Sequence, residues 1–137
     1  LKKGGKLIIQ EAYCSLVFQL MTILMKHEGF DFTVDPWSRT KPVTDENNVW
    51  SGNIAVTNLI FDNTKLFKEK TGHLYKIEHE KISECFIFLN SGGVCSTTFY
   101  IPLSRNLLKV LDKIDNFLTK CFPKIFALSR QIILRKI

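Results

Sequence analysis

The chain has 137 residues, room for one modest domain; 45% are hydrophobic and 23% charged, a globular composition that excludes a disordered chain. Its net charge of +6 comes from Lys and Arg scattered along the sequence, with no dense basic run and no Arg-rich helix, which argues against a nucleic-acid footprint. Cys14, Cys85, Cys95 and Cys121 form no CxxC pair and sit among apolar residues, the pattern of buried free thiols in a reducing compartment rather than a disulfide frame or a zinc site.

The opening Leu1-Lys2-Lys3-Gly4-Gly5-Lys6 has no initiator Met and no secretory core after its basic residues, and it reads as a start in mid-domain. Residues 6–12 are a short apolar run entered through Gly4-Gly5, a pattern that predicts a buried strand of the kind found in parallel sheets. Leu16, Val17, Leu20, Ile23 and Leu24 then recur at helical spacing over residues 14–25, and Gly29 follows as a stop. Gln10, Glu11 and Gln19 within this apolar stretch argue against a membrane span. Residues 30–58 hold Pro36, Pro42, Gly52, Trp37 and Trp50 among many Asp, Asn, Ser and Thr residues, and predict a long irregular cover of functional type.

Asn63 is the expected N-cap of a helix over residues 65–70 that ends at Gly72. Residues 74–89 predict a strand, with Tyr75, Ile77 and His79 alternating against Lys76, Glu78 and Glu80; no chemistry attaches to His73 or His79. Asn90-Ser91-Gly92-Gly93 marks a turn. After Pro102 comes an amphipathic helix whose stripe Leu107, Leu108, Leu111, Ile114, Phe117, Leu118 and Cys121 is expected to face the core, with Lys109, Asp112, Lys113 and Asp115 on the other face. Lys109, Lys113, Lys120 and Lys124 leave peripheral membrane contact open. Pro123 breaks the helix, residues 125–128 make a helical turn, and residues 130–137 form a terminal strand.

Residues 1–9, Leu-Lys-Lys-Gly-Gly-Lys-Leu-Ile-Ile, resemble the turn and fifth strand of class I (Rossmann-like) S-adenosylmethionine-dependent methyltransferases, with Lys3 where that family has Pro. His27-Glu28-Gly29, Asp31, Val34-Asp35-Pro36, Trp50-Ser51-Gly52-Asn53, Leu59-Ile60-Phe61 and Leu89-Asn90-Ser91-Gly92-Gly93 extend the likeness over the chain. Together they are similar to a bacterial methyltransferase group associated with cell-surface polysaccharide or lipid biosynthesis, although Ala55-Val56-Thr57 replaces its Ala-Ile-Pro. The resemblance implies an α/β fold: the C-terminal portion of a Rossmann-like methyltransferase sheet, strands 5, 7 and 6 of the order 3-2-1-4-5-7-6, with flanking helices and strand 7 antiparallel. It further implies that residues 1–137 are a partial domain, inactive alone, without the N-terminal half that binds S-adenosylmethionine. No GxGxG turn leading into a helix occurs in the chain, and no cofactor is expected to bind it by itself.

Ligands of open α/β sheets sit beyond the carboxyl ends of the strands. There Glu11 either serves as base or orients a hydroxyl, or else it faces a helix dipole. His27 is the second candidate base, with capping of its own helix as the alternative. Tyr13, Glu28, Asp31, Asp35, Trp37, Trp50, Asn53 and Ser91 are the candidate substrate-binding residues; for the two Trp, anchoring of the loop is the other reading, and for Asn53, shaping of a turn. His27 and Asp31 do not make the HExxH zinc motif, and no metal is expected. The expected partner is a sugar or lipid-linked acceptor, and the expected location is the cytoplasm, or the inner face of its membrane. A rival reading is a non-enzymatic interaction module, or a homodimer, built on an exposed strand edge and apolar helices.

Overall fold

A computed structural model of the chain describes residues 1–25, 28–44, 52–90 and 100–137. The elements are β1 (Lys6–Ala12), α1 (Leu16–Met25), α2 (Val56–Phe61), α3 (Thr64–Lys70), β2 (Tyr75–Ser83), α4 (Phe86–Leu89), α5 (Arg105–Cys121), α6 (Pro123–Phe126) and β3 (Ser129–Lys136). The last strand lies in the middle of a mixed α/β arrangement: the sheet order is β1-β3-β2, and β3 is antiparallel to both neighbours. This is a small antiparallel sheet and not the order of a parallel Rossmann sheet.

The expectation of a buried parallel strand over residues 6–12 is corrected. β1 has a strand neighbour on one side only among the described residues, and Ile8 is 66% exposed. The reason is the alternation of the pleat. Leu7 and Ile9 stand opposite the buried Leu134 and Ile132, whereas Ile8 stands opposite Ile133 on the other face. The packed face carries Phe61, Phe67 and Trp37 from the connecting segments.

α1 forms where the helical spacing predicts it and carries most of those apolar residues on its outside. Leu16, Leu20, Ile23 and Leu24 point outward, and Cys14, Phe18 and Thr22 are buried. Those three are spaced by four residues, so they stack on one side. Their side is chosen before the helix begins: Tyr13 N donates to Leu128 O at 3.0 Å and Cys14 N to Asn58 Oδ1 at 2.9 Å. α2 shortens the expected irregular segment by taking its last residues from Val56 on. Asn63 caps α3 by accepting from Leu66 N at 3.0 Å, and the chain reverses beyond that helix through Gly72 (φ 60°) and His73 (φ 57°).

The strand expected over residues 74–89 stops at Ser83. Glu84 adopts φ 65°, and the next three backbone N–H groups, of Cys85, Phe86 and Ile87, donate to the Asp115 carboxylate at 3.1, 3.0 and 2.9 Å. These are the orphan donors that open α4, and a carboxylate is the strongest acceptor for them. Asp115 is only 4% exposed, so α5 turns this residue and Thr119 inward. The Thr119 hydroxyl is satisfied by Asp115 O at 2.7 Å. The expectation that the Leu107 to Cys121 stripe faces the core is therefore corrected for most of its length: Leu107, Ile114 and Phe117 are exposed, as is Cys121. A bulge in β2 between Ile77 and His79 brings Glu80 opposite Ile132, on the packed face, and leaves His79 exposed. Among the described residues no helix is long and apolar enough to cross a membrane.

The expectation of buried free thiols holds for Cys14 and Cys85 and is corrected for Cys121, which is exposed; Cys95 lies outside the described residues. Burial pushes the Cys14 thiol up from 9.0 to about 11, against a hydrogen bond to Gln19. Burial and then the Asp115 charge do the same to Cys85, from 9.0 to about 11.

Two outcomes follow. Asp115→Ala leaves three buried or half-buried donors without their acceptor and is expected to cost about 3 kcal/mol in urea denaturation, with Asp115→Asn intermediate. Both raised thiols are neutral in the folded chain at a pH where unfolded thiols already ionise. Their contribution is complete below the unfolded value of 9.0 and is lost as pH rises to about 11. Denaturation midpoints should fall over that window, and less so in Cys14→Ala.

Candidate functional site

The carboxyl end of β1 is where a site assembles. Beyond Ala12 the chain leaves the sheet, and α2 closes over the gap. Thr57 Oγ1 donates to Ala12 O at 2.5 Å, and Asn58 holds Cys14 N. The segment before α2 is tied to the segment after α1 by a parallel bridge: Gly29 N donates to Gly52 O and Ile54 N to Gly29 O, both at 3.1 Å. These ties frame an open hollow of about 450 Å³. Ile9, Ile54, Ile60 and Phe61 give it apolar walls, and Glu11 and Glu28 put carboxylates on its rim. Gly52 lets Glu28 pack closely: a Cβ there would come 3.1 Å from the Glu28 Cδ, and the side chain would have to shift by a few tenths of an ångström. A smaller cleft of about 280 Å³ shares Glu11, Ala12 and Glu28 and adds Glu84.

Behind the cavity lies a charge that the sequence reading did not single out. Arg130, at the start of β3, is 3% exposed. Its Nη1 donates to Thr57 O at 2.9 Å, its Nη2 binds Asp62, and its Nε lies 3.0 Å from Glu80 Oε1 without hydrogen-bond alignment. Its guanidinium also covers the Tyr13 ring, 4.8 Å from the centroid. Asn58 Nδ2 extends the network to Asp62 at 3.3 Å. The signal available in the sequence was an Arg two residues before Ile132, and so on the same face of the terminal strand as an apolar residue.

Of the expected site residues, Glu11, Glu28 and Asn53 line one cavity. Asn53 spends its amide on the backbone: Oδ1 accepts from Asp31 N and Ala55 N, and Nδ2 donates to Asp31 O and Val43 O, all at 2.9–3.0 Å. It shapes the loop. Asp31 lies beside a neighbouring hollow of about 340 Å³. Its carboxylate accepts the Thr33 hydroxyl and amide, both at 2.7 Å, which hold it below its usual value. Asp35 accepts Trp37 N at 3.0 Å in an Asx turn. Trp37 packs at 6.3 Å from the Phe67 ring and anchors the loop on the core, away from the cavity. Tyr13 is buried under Arg130. Burial first, then the Asp62 charge, raise its phenol against the pull of Arg130. Glu11 belongs to β1 and not to the first turn of α1, so it is not a helix-capping acid. His27, Trp50 and Ser91 lie outside the described residues.

Chemically, two carboxylates over apolar walls accept hydrogen bonds from hydroxyl or amino groups, or take a proton from one of them. Among the described residues no group of His, Cys, Asp or Glu is arranged to hold a metal ion. No protein-family model matches the chain, and searches of curated proteins and of solved structures return no match.

Arg130→Ala is expected to destabilise the fold by about 2–4 kcal/mol in urea denaturation, the lower end reflecting the partial exposure of Asp62 and Glu80. Arg130→Lys should recover little of it, because one ammonium cannot span Thr57 O, Asp62 and Glu80 together.

Proposed function

We propose that this chain is the acceptor-binding side of an S-adenosylmethionine-dependent methyltransferase, with a sugar or lipid-linked hydroxyl or amine as acceptor. The observation that carries the reading is the cavity at the carboxyl end of β1, rimmed by Glu11 and Glu28. That is where open α/β sheets place their ligands. The strand arrangement lends narrower support. Three strands are not that family's sheet. Yet a last strand inserted between two mutually parallel ones is what the resemblance implies for strands 5, 7 and 6.

In this reading Glu11 takes the proton of the acceptor's nucleophile, and Glu28 orients a neighbouring hydroxyl. Among the described residues, neither Gly4-Gly5 nor Gly52 is open to cradle the methyl donor. Gly4 and Gly5 use their amides on Lys136 O and Lys2 O at 2.8 and 2.9 Å, and the space at Gly52 is taken by Glu28. The donor's cradle belongs to other residues.

A second reading, a non-enzymatic module, is favoured by one observation: Leu16, Leu20, Ile23 and Leu24 of α1 point outward, and β1 has a strand neighbour on one side only among the described residues. The two readings part in solution. Under the first, a panel of methyl glycosides shifts the amide resonances of Glu11, Glu28 and Gly52, Glu11→Gln weakens that response, and calorimetry finds no micromolar binding of S-adenosylmethionine. Micromolar S-adenosylmethionine binding, or glycosides that move no cavity amide, would overturn it.

A further inference from the structure

We infer that α5 is an interfacial helix whose outward apolar seam lies on an anionic membrane surface. The inference rests on a different part of the molecule from the cavity and does not depend on the methyltransferase reading.

The rotation of α5 is set from inside. Asp115 binds three backbone N–H groups of the segment entering α4, and Thr119 is buried one turn further on. With those residues held inward, Leu107, Val110, Ile114 and Phe117 fall on the outer side at 45, 51, 40 and 62% exposure. Their spacing of three and four residues makes one continuous stripe. The helix thus buries a carboxylate and displays its apolar residues, the reverse of a helix made for water.

The border of the stripe identifies what covers it. Lys113 and Lys120 run along the edge next to Phe117, and Lys109 and Arg105 lie further round; all four are exposed. Asp112 is the one acid on the outer surface of α5, and it lies away from the stripe. A second copy of this helix would set Lys beside Lys along the seam, with no acid to answer them. The seam from Leu107 to Phe117 also covers fewer than two heptads, short of the three or four that sustain a coiled coil. An anionic lipid surface meets both demands: headgroups neutralise the lysines, and the acyl boundary takes the apolar side chains. The exposed Phe122 and Ile125 with Lys124, just beyond α5, continue the same chemistry.

The test is flotation of the full chain with vesicles of phosphatidylcholine alone and of phosphatidylcholine mixed with phosphatidylglycerol. Expected is partition to the mixed vesicles that falls steeply with salt. Lys113→Glu with Lys120→Glu should lower it at least about 25-fold, at roughly fivefold for each basic residue lost near the surface. Phe117→Ser should lower it about tenfold or more. Lys65→Glu with Lys68→Glu in α3 makes the same change of net charge away from the seam and should leave most of the partition in place. Circular dichroism of each variant separates lost binding from lost folding. Equal partition to both vesicle types, none to either, or an equal loss in the α3 control overturns the inference. So does a dimer in light scattering that Phe117→Ser dissolves without lipid, which would make a second copy the occupant.

Discussion

The buried guanidinium of Arg130 is the constraint on which the rest of this arrangement depends. β3 lies between β1 and β2, and Arg130 is near its first residue, where the sheet meets the helical layer. From there one side chain reaches the first turn of α2 through Thr57 O, the end of α2 through Asp62, β2 through Glu80, and the segment after β1 through Tyr13. A buried charge is expensive unless its donors are met, and Arg is the side chain whose planar fork meets several acceptors at once. The acceptors here come from segments far apart in sequence. Meeting them fixes α2 against the carboxyl end of β1, and that placement makes the cavity. Glu80 reaches the charge because the bulge in β2 moves it onto the packed face.

Asp115 performs a similar task just beyond the end of β2. Its carboxylate ends β2, opens α4 and sets the rotation of α5. In both cases a charged residue on a regular element supplies what backbone groups of another element lack. The two cores of apolar side chains, around Leu128 and around Ile132, fill the space between these anchors.

What was legible in the sequence follows from this division. Features decided by neighbours in the chain were readable: β1 over residues 6–12, the Asn63 cap of α3, the reversal at Gly72, the break at Pro123 and the terminal strand. Features decided by distant partners were not. Nothing near Ser83 says that β2 ends there, because the acceptor for the following N–H groups is thirty residues on, at Asp115. The pairing of Glu11 with Glu28 around one cavity was half legible. Glu11 stands at a strand end, but Glu28 joins it through the bridge of Gly29 with Asn53, which no local pattern announces. Asn53 was open between a ligand and a turn, and only its four backbone partners decide for the turn.

The helices carry the sharper lesson, because the apolar spacing of both was legible while the core-facing direction expected for the α5 stripe is not the one it adopts. Hydrophobic spacing tells which residues share a face; it does not tell which way that face looks. In α1 and α5 the inward face is chosen by hydrogen bonds. For α1 they are made by Cys14 N and Tyr13 N before the helix starts, and for α5 by Asp115 near its middle. Once these are made, the apolar stripe has no freedom to turn inward. Burying Asp115 would be a poor exchange for burying Phe117 if hydrophobic transfer alone decided, since a carboxylate loses far more hydration than a ring gains by leaving water. The exchange becomes favourable only because the carboxylate meets three N–H groups, one buried and two half-buried, that would otherwise lack this acceptor. An outward stripe held by such a lock is a built feature of the surface and not a failure of packing.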